Sequence, residues 1–548
     1  MDDIALDWHD SGPRNARTGD VYFSPRDGLA ESRYVFLEGC RLPEGWALND
    51  VCTIGEIGFG TGLNFLAASA LFLEHKKPGQ HLVYVGFEKF PLAREQAMQA
   101  TARWKDELPL YDTLYKHWPL RIPGFHWVPL HKDITLLLVH GDAAEGLQQL
   151  VAPRGIDAWF LDGFSPAKDE SAWTQSLYDG MAMHSHDQTR LASFTAVSRV
   201  RHGLTAAGFT VKRIHGYGYK WHMTVAGFQG RPKPEAPARP RHVTIKGAGL
   251  SGSACAHALS RFDIPCSLND PDRDLKYAAS GNPLGAVKPR LTNKPSVRSA
   301  WYAAGYALAQ HVIPEQLKHR VPALQFKTDI DVASYGWHPD HLFTTDDRDA
   351  IAGVTVPDSG ICFADALLVS PKDLSVHWRG DTPFEPQDGD VIIHATGHAY
   401  SGMRPVRGQL TFVKEAAPLK AMLFYGGYAT PAIGGVHTIG ATFGRGEDAT
   451  DLRAEDDADN LARLAPYIKE DWQIVGSRAS VRANTPDRLP LVGRLNDREY
   501  VSAGHGSHGI TAAPLAAAVI VGQMLGLPAP LPRDVLAAIA GDRFASPA

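Results

Sequence analysis

Glu56-Ile57-Gly58-Phe59-Gly60-Thr61-Gly62 places an acid and three glycines in one short loop, directly after the apolar run VCTIGEI. The spacing is GxGxG. It lacks the third-glycine position that lets a GxGxxG loop pack its helix beside a pyrophosphate. An acid just ahead of the first glycine repels a pyrophosphate and suits a cation. S-adenosylmethionine (SAM) is such a ligand, with a sulfonium, an ammonium and no phosphate. Three further acids follow in order. Glu88 closes the run LVYVGFE, where a carboxylate can accept both ribose hydroxyl hydrogens. Asp142, in HGDA, either meets an adenine amine or caps the next helix. Asp162 closes IDAWFLD, at the carboxyl edge where open α/β sheets bind their ligands.

Methyl transfer needs an acceptor with a free lone pair, and an alkylamine at neutral pH is mostly protonated. Asp162 is the residue expected to take that proton or to hold the neutral amine in line. Gly163-Phe164 adds close approach and an aromatic wall. Tyr217-Gly218-Tyr219-Lys220 either adds stacking and charge or is a plain hairpin turn.

A second loop, Gly247-Ala248-Gly249-Leu250-Ser251-Gly252, is a full GxGxxG between strand HVTI and helix SACAHALSRF. No acid precedes it, so a pyrophosphate is welcome at the helix N-terminus. The next strand ends at Asp270, at the spacing of a ribose-binding acid. Two distant segments favour FAD over a nicotinamide. VIIHATGHA brings Gly397 back under a dinucleotide. Gly504, Gly506 and Gly509 precede a long apolar helix whose start can aim amides at a flavin ring. Arg482, ahead of Thr485-Pro486-Asp487, is either a bidentate clamp for a substrate carboxylate or half of a surface ion pair. His505 and His508 receive no acid–base role.

Around these residues the elements alternate. VCTIGEI, LVYVGFE, ITLLLVHGD and IDAWFLDGF read as strands, and NFLAASALFLEH and LAREQAMQATARW as helices. That pattern predicts a parallel sheet with helices on both faces. QGRPKPEAPARPRH (229–242) holds four prolines and four cations and reads as a semi-rigid spacer. Its cations are either solvated or touch a phosphate backbone. The expected domains are 1–230, a linker at 231–242, and 243–548. The second repeats the Rossmann pattern and inserts short strands near 325–380 and 407–445. No apolar run reaches the roughly 20 residues of a membrane helix. Five cysteines without a CxxC pair, and histidines without HExxH spacing, predict neither disulfides nor a metal, and a reducing cytoplasm. A net charge of −5 confines any nucleic-acid site to a local patch.

Nearly the whole chain resembles the bifunctional tRNA 5-methylaminomethyl-2-thiouridine biosynthesis family, MnmC. The resemblance rests on VYFSPRDGLAES (21–32), GEIGFGTGLNFL (55–66), FEKFPL (87–92), LDGFSPAK (161–168), ASGNPLGA (279–286) and GHGSHGITAAPLAA (504–517). The segment at 325–380 is short for the pattern. The family implies a Rossmann-like methyltransferase fused to a D-amino-acid-oxidase-like flavoprotein. Its substrate is a tRNA wobble uridine with a carboxymethylaminomethyl arm, and the protein is a monomer. The flavin domain strips the carboxymethyl group, which gives Arg482 its anion; the first domain methylates the freed amine at Asp162. RNA contact then falls to Arg199, Arg201, Lys212, Arg213 and the linker. The rival is a small-molecule N-methyltransferase fused to an amino-acid oxidase, without RNA.

Overall fold

The structure is a computed structural model. It describes residues 4–544 except 10–11, 25, 47–48, 170–172, 219, 273–274, 276–277, 316–317, 327–337, 339–343, 349–350, 357–358, 364–366, 369–374, 379–389 and 417. Two compact units emerge. The first is Met1–Ala238 with Met524–Arg533, and the second is Arg239–Gln523 with Asp534–Ala548. The return of Met524–Arg533 to the first unit carries no sequence signal.

The first unit is built on an eight-stranded sheet. Its spatial order is Gly124–His131, Ile134–His140, His81–Glu88, Val51–Ile57, Ala158–Leu161, Arg190–Ser193, His222–Phe228, Phe209–His215. The five central strands are parallel, as the alternation predicts. Val51–Ile57 is buried along its whole length, as a strand covered on both faces must be. At both ends the parallel sheet is extended by antiparallel strands. Gly124–His131 turns tightly into Ile134–His140, and His222–Phe228 pairs antiparallel with both its neighbours. Connections this short cannot make a parallel crossover.

From Val51–Ile57 the chain moves first to His81–Glu88 on one side, and later to Ala158–Leu161 on the other. The strand order therefore reverses beside Val51–Ile57, and a crevice opens at its carboxyl end. Gly58 and Asp162 both sit there, each one residue past its strand.

The second unit has a six-stranded sheet ordered Ser375–Trp378, Cys266–Asp270, Val243–Lys246, Val391–His394, Glu499–Ala503, Leu491–Arg494. Only the last pair is antiparallel. A second, mainly antiparallel sheet runs from Thr344–Arg348 to Gly444–Arg445, with the long strand Ile474–Asn484 paired to Arg404–Lys414. This is the expected Rossmann core with its antiparallel insertion. Much of the 325–380 stretch lies outside the described residues. Helix Gly506–Leu525 is long and apolar enough to span a membrane by length and composition, contrary to the sequence expectation. However, 72 % of its most apolar 18-residue stretch is buried within the protein, so its apolar faces are spent on the core. All five cysteines are free and buried.

Candidate functional site

In the first unit a cavity of about 440 Å³ opens at the crevice. That size suits a small organic ligand, for which pockets of roughly 300–1,000 Å³ are usual. Gly58 forms its floor at φ +88°, and a Cβ there would lie 2.4 Å from the Asp162 carbonyl oxygen. Only glycine lets the loop run this close to the neighbouring strand end. Gly58 and Phe59 both donate to the Phe87 carbonyl, and Gly62 caps helix Leu63–His75.

Glu88 lines the cavity and anchors the loop. Its Oε2 accepts from the Gly60 amide at 2.7 Å and its Oε1 from the Phe90 amide at 2.8 Å. Each oxygen keeps further lone-pair capacity for a ligand hydroxyl. Asp142 caps helix Ala143–Gln149 through Oδ1, while its Oδ2 meets Lys89 at 3.1 Å. It lines the cavity as well, so capping does not remove it from the site.

Glu56 is a correction. It is fully buried and does not line the cavity. Strand alternation turns it into the sheet face, where it accepts from Tyr84 Oη at 2.8 Å and from Asn64 Nδ2 at 2.7 Å. Burial, and then the nearby Asp162, hold it well above the ordinary carboxylate range. Burial favours its neutral form, and both its oxygens are taken by the protein's own donors rather than turned to the cavity.

Other acids face the cavity. Six acids line the cavity, Asp20, Glu31, Glu88, Asp142, Asp162 and Asp169, against two cations, Lys89 and Lys220. Burial raises Asp162 well above its usual range, with Glu31 and Asp20 adding repulsion, while Asn64 and Lys220 pull it back. A carboxyl raised this way is a better proton acceptor once ionised. Tyr22, Phe164, Phe194 and Tyr217 supply aromatic wall. Of the two readings for 217–220, the structure supports contact with the site. Lys220 Nζ pairs with Glu31 at 2.9 Å and lies 4.3 Å from the Phe194 ring centre. Tyr219 lies outside the described residues.

Sequence reasoning missed Asn64, Glu31 and Asp20. Asn64 gives its side-chain amide to Glu56 and to Asp162, each at 2.7 Å, and takes the Ser32 hydroxyl at 2.5 Å on Oδ1. One side chain thus separates two buried carboxyls and fixes the oxygen Asp162 leaves for substrate. The signal was present in GLNFL, in the first turn of the helix, but an asparagine there reads as ordinary helix polarity. Replacing it by leucine removes a donor that lowers Asp162. The ascending limb of the methylation pH profile is therefore expected to move to higher pH. A limb that stays put while activity falls would assign Asn64 to folding alone.

The basic residues divide. Arg199 donates to the Pro166 carbonyl and Arg201 to the Ala196 carbonyl, so both are turned onto the protein. In the linker, Arg231 donates to the Ser185 carbonyl and Lys233 forms a largely buried pair with Asp157. Lys233 is thus withdrawn from solvent, while Arg231 stays exposed but is tied to the protein's own carbonyls. Lys212 and Arg213 stay exposed on Phe209–His215.

In the second unit, Gly247 has φ +108°, and a Cβ on it would lie 2.3 Å from the Ala395 carbonyl oxygen. The loop therefore lies against the end of Val391–His394, and Gly397 follows in a one-turn helix. Gly249 caps helix Leu250–Ser260, and a Cβ on Gly252 would strike the Gly247 carbonyl. Asp270 Oδ2 accepts from the Ala248 amide at 2.7 Å, which sets this acid beside the loop. These are the features a dinucleotide needs: a glycine-opened helix N-terminus, close backbone and an acid at the next strand end. The residues fit FAD.

The loop at Gly504 and Gly506 joins this core to the antiparallel sheet. Asn484, ending Ile474–Asn484, bridges to His505. His505 Nε2 lies 3.1 Å from Ser502 Oγ and 3.3 Å from Ser251 Oγ, and helix Gly509–Leu525 follows. Burial pulls His505 down to about 4, and burial, then Arg290 and Lys288, pull His508 to about 3. Both imidazoles are neutral at pH 7, which suits packing.

Arg482 sits two residues before Asn484. Its contacts are the Thr442 carbonyl at 3.4 Å and the Phe443 ring at 4.7 Å. No carboxylate pairs with it among the described residues, so the ion-pair alternative is not what the structure contains. Burial lowers the Arg482 guanidinium, the neighbouring Tyr428 raises it, and burial holds Tyr428 up at about 12. Among the described residues, no group of His, Cys, Asp and Glu can hold a metal ion.

Residues 106–229 match the family described as S-adenosyl-L-methionine-dependent methyltransferase, and 372–523 the family described as FAD dependent oxidoreductase. Among solved structures, glycine oxidase from Geobacillus kaustophilus is similar, with a TM-score of 0.49 and 19 % identity over 56 % of this chain and 100 % of that one. The chain is 35 % identical to "tRNA 5-methylaminomethyl-2-thiouridine biosynthesis bifunctional protein MnmC" of Caulobacter vibrioides, over 99 % of this chain and 98 % of that one. It is 33 % identical to the protein of the same name from Methylobacillus flagellatus, over 98 % and 95 %. A SAM-dependent methyltransferase and an FAD-dependent oxidoreductase are thus joined in one polypeptide, and the chain belongs to the MnmC family of bifunctional tRNA 5-methylaminomethyl-2-thiouridine biosynthesis proteins.

Proposed function

We propose that the protein completes the side arm of a tRNA wobble uridine in two steps. The second unit removes the carboxymethyl group from a 5-carboxymethylaminomethyl arm, and the first methylates the primary amine that remains. A bound FAD would supply a hydride acceptor for the carbon beside the amine; with loss of the N–H proton the arm would become an imine, and water would release the two-carbon fragment as an aldehyde acid. Gly247, Gly249, Gly252 and Asp270 hold the dinucleotide, Gly397, Gly504, Gly506 and Gly509 close its ring end, and Arg482 holds the arm's carboxylate. In the first unit Glu88 and Asp142 hold the nucleoside of SAM over Gly58, Gly60 and Gly62. Asp162 accepts the proton of the arriving ammonium, or aims its neutral form, so that nitrogen meets the methyl carbon in line. Domains at 1–230 and 243–548, a monomer and a cytoplasmic setting belong to this reading.

The observation that carries it is Arg482, a guanidinium largely withdrawn from water that no carboxylate of the protein neutralises. An unpaired buried charge is costly, and an anionic substrate offsets that cost. Arg482→Met is expected to lower kcat/KM for oxidation by about 10²–10³-fold, the cost of truncating one side of a buried charge pair. Methylation of pre-formed aminomethyl tRNA stays at the wild-type rate. The function itself is tested by digesting bulk tRNA from a deletion strain. Carboxymethylaminomethyl nucleoside accumulates if the reading holds, and an unchanged nucleoside profile would refute it.

A further inference from the structure

Resting on the tRNA reading, we propose that the hairpin Phe209–Phe228 is the RNA-docking edge of the first unit, with Trp221 as a stacking platform for a base beside the one that enters the cavity. Three independent features meet there. The first is charge. No Asp or Glu occurs between Asp187 and Glu235, a stretch with eight Lys and Arg in a chain of net charge −5. Six of the eight are held by the protein: Arg190, Arg199, Arg201 and Arg231 by carbonyls, Lys220 by Glu31 and Lys233 by Asp157. Lys212 and Arg213 are exposed and have no partner among the described residues. Both stand on Phe209–His215, the edge strand of the sheet.

The second feature is Trp221, which is 83 % exposed. An indole can bury some 150–250 Å² when it finds a partner, and leaving it in water forgoes that gain. The third is position. Trp221 directly follows Lys220, which with Tyr217 lines the methyl-transfer cavity. The strand register pairs His215 with His222, and the Gly216 amide donates to the Trp221 carbonyl. Alternation therefore places Lys212 and Ile214 on the face of Trp221. An exposed aromatic on a hairpin that carries cations and no acid of its own, without a broad apolar patch, is poor material for a protein interface. It is the combination that grips a single strand, with cations on the backbone and an aromatic face for any base.

The test uses full-length protein and a fluorescein-labelled anticodon stem-loop RNA, with a blunt RNA duplex as control. Trp221→Ala is expected to weaken stem-loop binding about tenfold or more, the range of one lost base stack, and to raise KM for tRNA in methylation with kcat retained. Trp221→Phe recovers most of the affinity, and duplex binding is unchanged. Lys212→Ala with Arg213→Ala lowers the slope of log affinity against log salt by about two, whereas Trp221→Ala leaves it unchanged. Wild-type protein that fails to bind the stem-loop at all would refute the tRNA reading itself. Wild-type binding with an equally tight Trp221→Ala variant would overturn the docking edge alone. So would a lowered kcat at saturating RNA, or an equal loss on the duplex.

Discussion

Asp162→Asn is expected to reduce methyl transfer by about 10²–10⁴-fold, the usual contribution of a positioned proton acceptor, with flavin-dependent oxidation intact. The substitution is conservative in shape. Asn64 still finds an oxygen at position 162 to replace the 2.7 Å hydrogen bond it now makes. What disappears is the charge that accepts the ammonium proton. Product nucleoside from aminomethyl tRNA, measured in single turnover, separates this effect from SAM binding. The wild-type pH profile gives an independent check. Because burial and two neighbouring acids raise Asp162, its reactive ionised form is depleted up to an unusually high pH for a carboxylate. The rate should rise with pH through a limb above the ordinary aspartate range, near 3.9 in model peptides.

Stability should move the opposite way. The folded state holds this proton at pH values where the unfolded chain has lost it. Stability therefore falls as pH rises from the unfolded value through the raised folded one. Asp162→Asn removes that penalty, so its melting temperature should equal or exceed the wild-type value above that window. A variant that melts lower and loses both activities would place Asp162 in folding, and one that still methylates would remove it from the chemistry.

Gly249→Val is expected to give colourless protein without oxidase activity that still methylates aminomethyl tRNA. Gly249 has φ −65° and ψ −174°, which valine tolerates, so the backbone carries no strain argument here. The added Cβ would lie 2.7 Å from Ser280 Oγ, the far end of a side chain that can turn away. The chain should fold. The branched side chain then stands at the start of helix Leu250–Ser260, where a diphosphate must approach the helix N-terminus. Gly247→Val is the harsher control. It combines φ +108° with a Cβ only 2.3 Å from the Ala395 carbonyl, so it should also lower the melting temperature. Absorbance of the purified protein in the flavin band reads the outcome directly. Retention of flavin by Gly249→Val would contradict the assignment of that loop.

Arg482 and Asn64 show how unevenly the site was legible. Arg482 was visible because it stands just ahead of the turn Thr485-Pro486-Asp487. The choice between a clamp and an ion pair still needed the structure, since pairing depends on what lies across space. Asn64 was invisible. Its neighbours Glu56 and Asp162 lie 8 and 98 residues away in the chain, and one amide joins them. Glu56 was misread for the same reason. A strand end looks alike in sequence whether its acid faces solvent or the sheet, and alternation gave this one to Tyr84.

The sequence by itself determined the two nucleotide loops, the strands that deliver them and the opposite ligands they take. Glycine spacing acts over a few residues, so local chemistry is enough for the loops. It also carried the family, because the motifs recur in order along nearly the whole chain. The tertiary structure alone decided which acids face the cavity, which cations are already paired, and that Trp221 stands in water beside the site. Burial and pairing are relations between residues far apart in the chain, and only the packed fold brings them within reach.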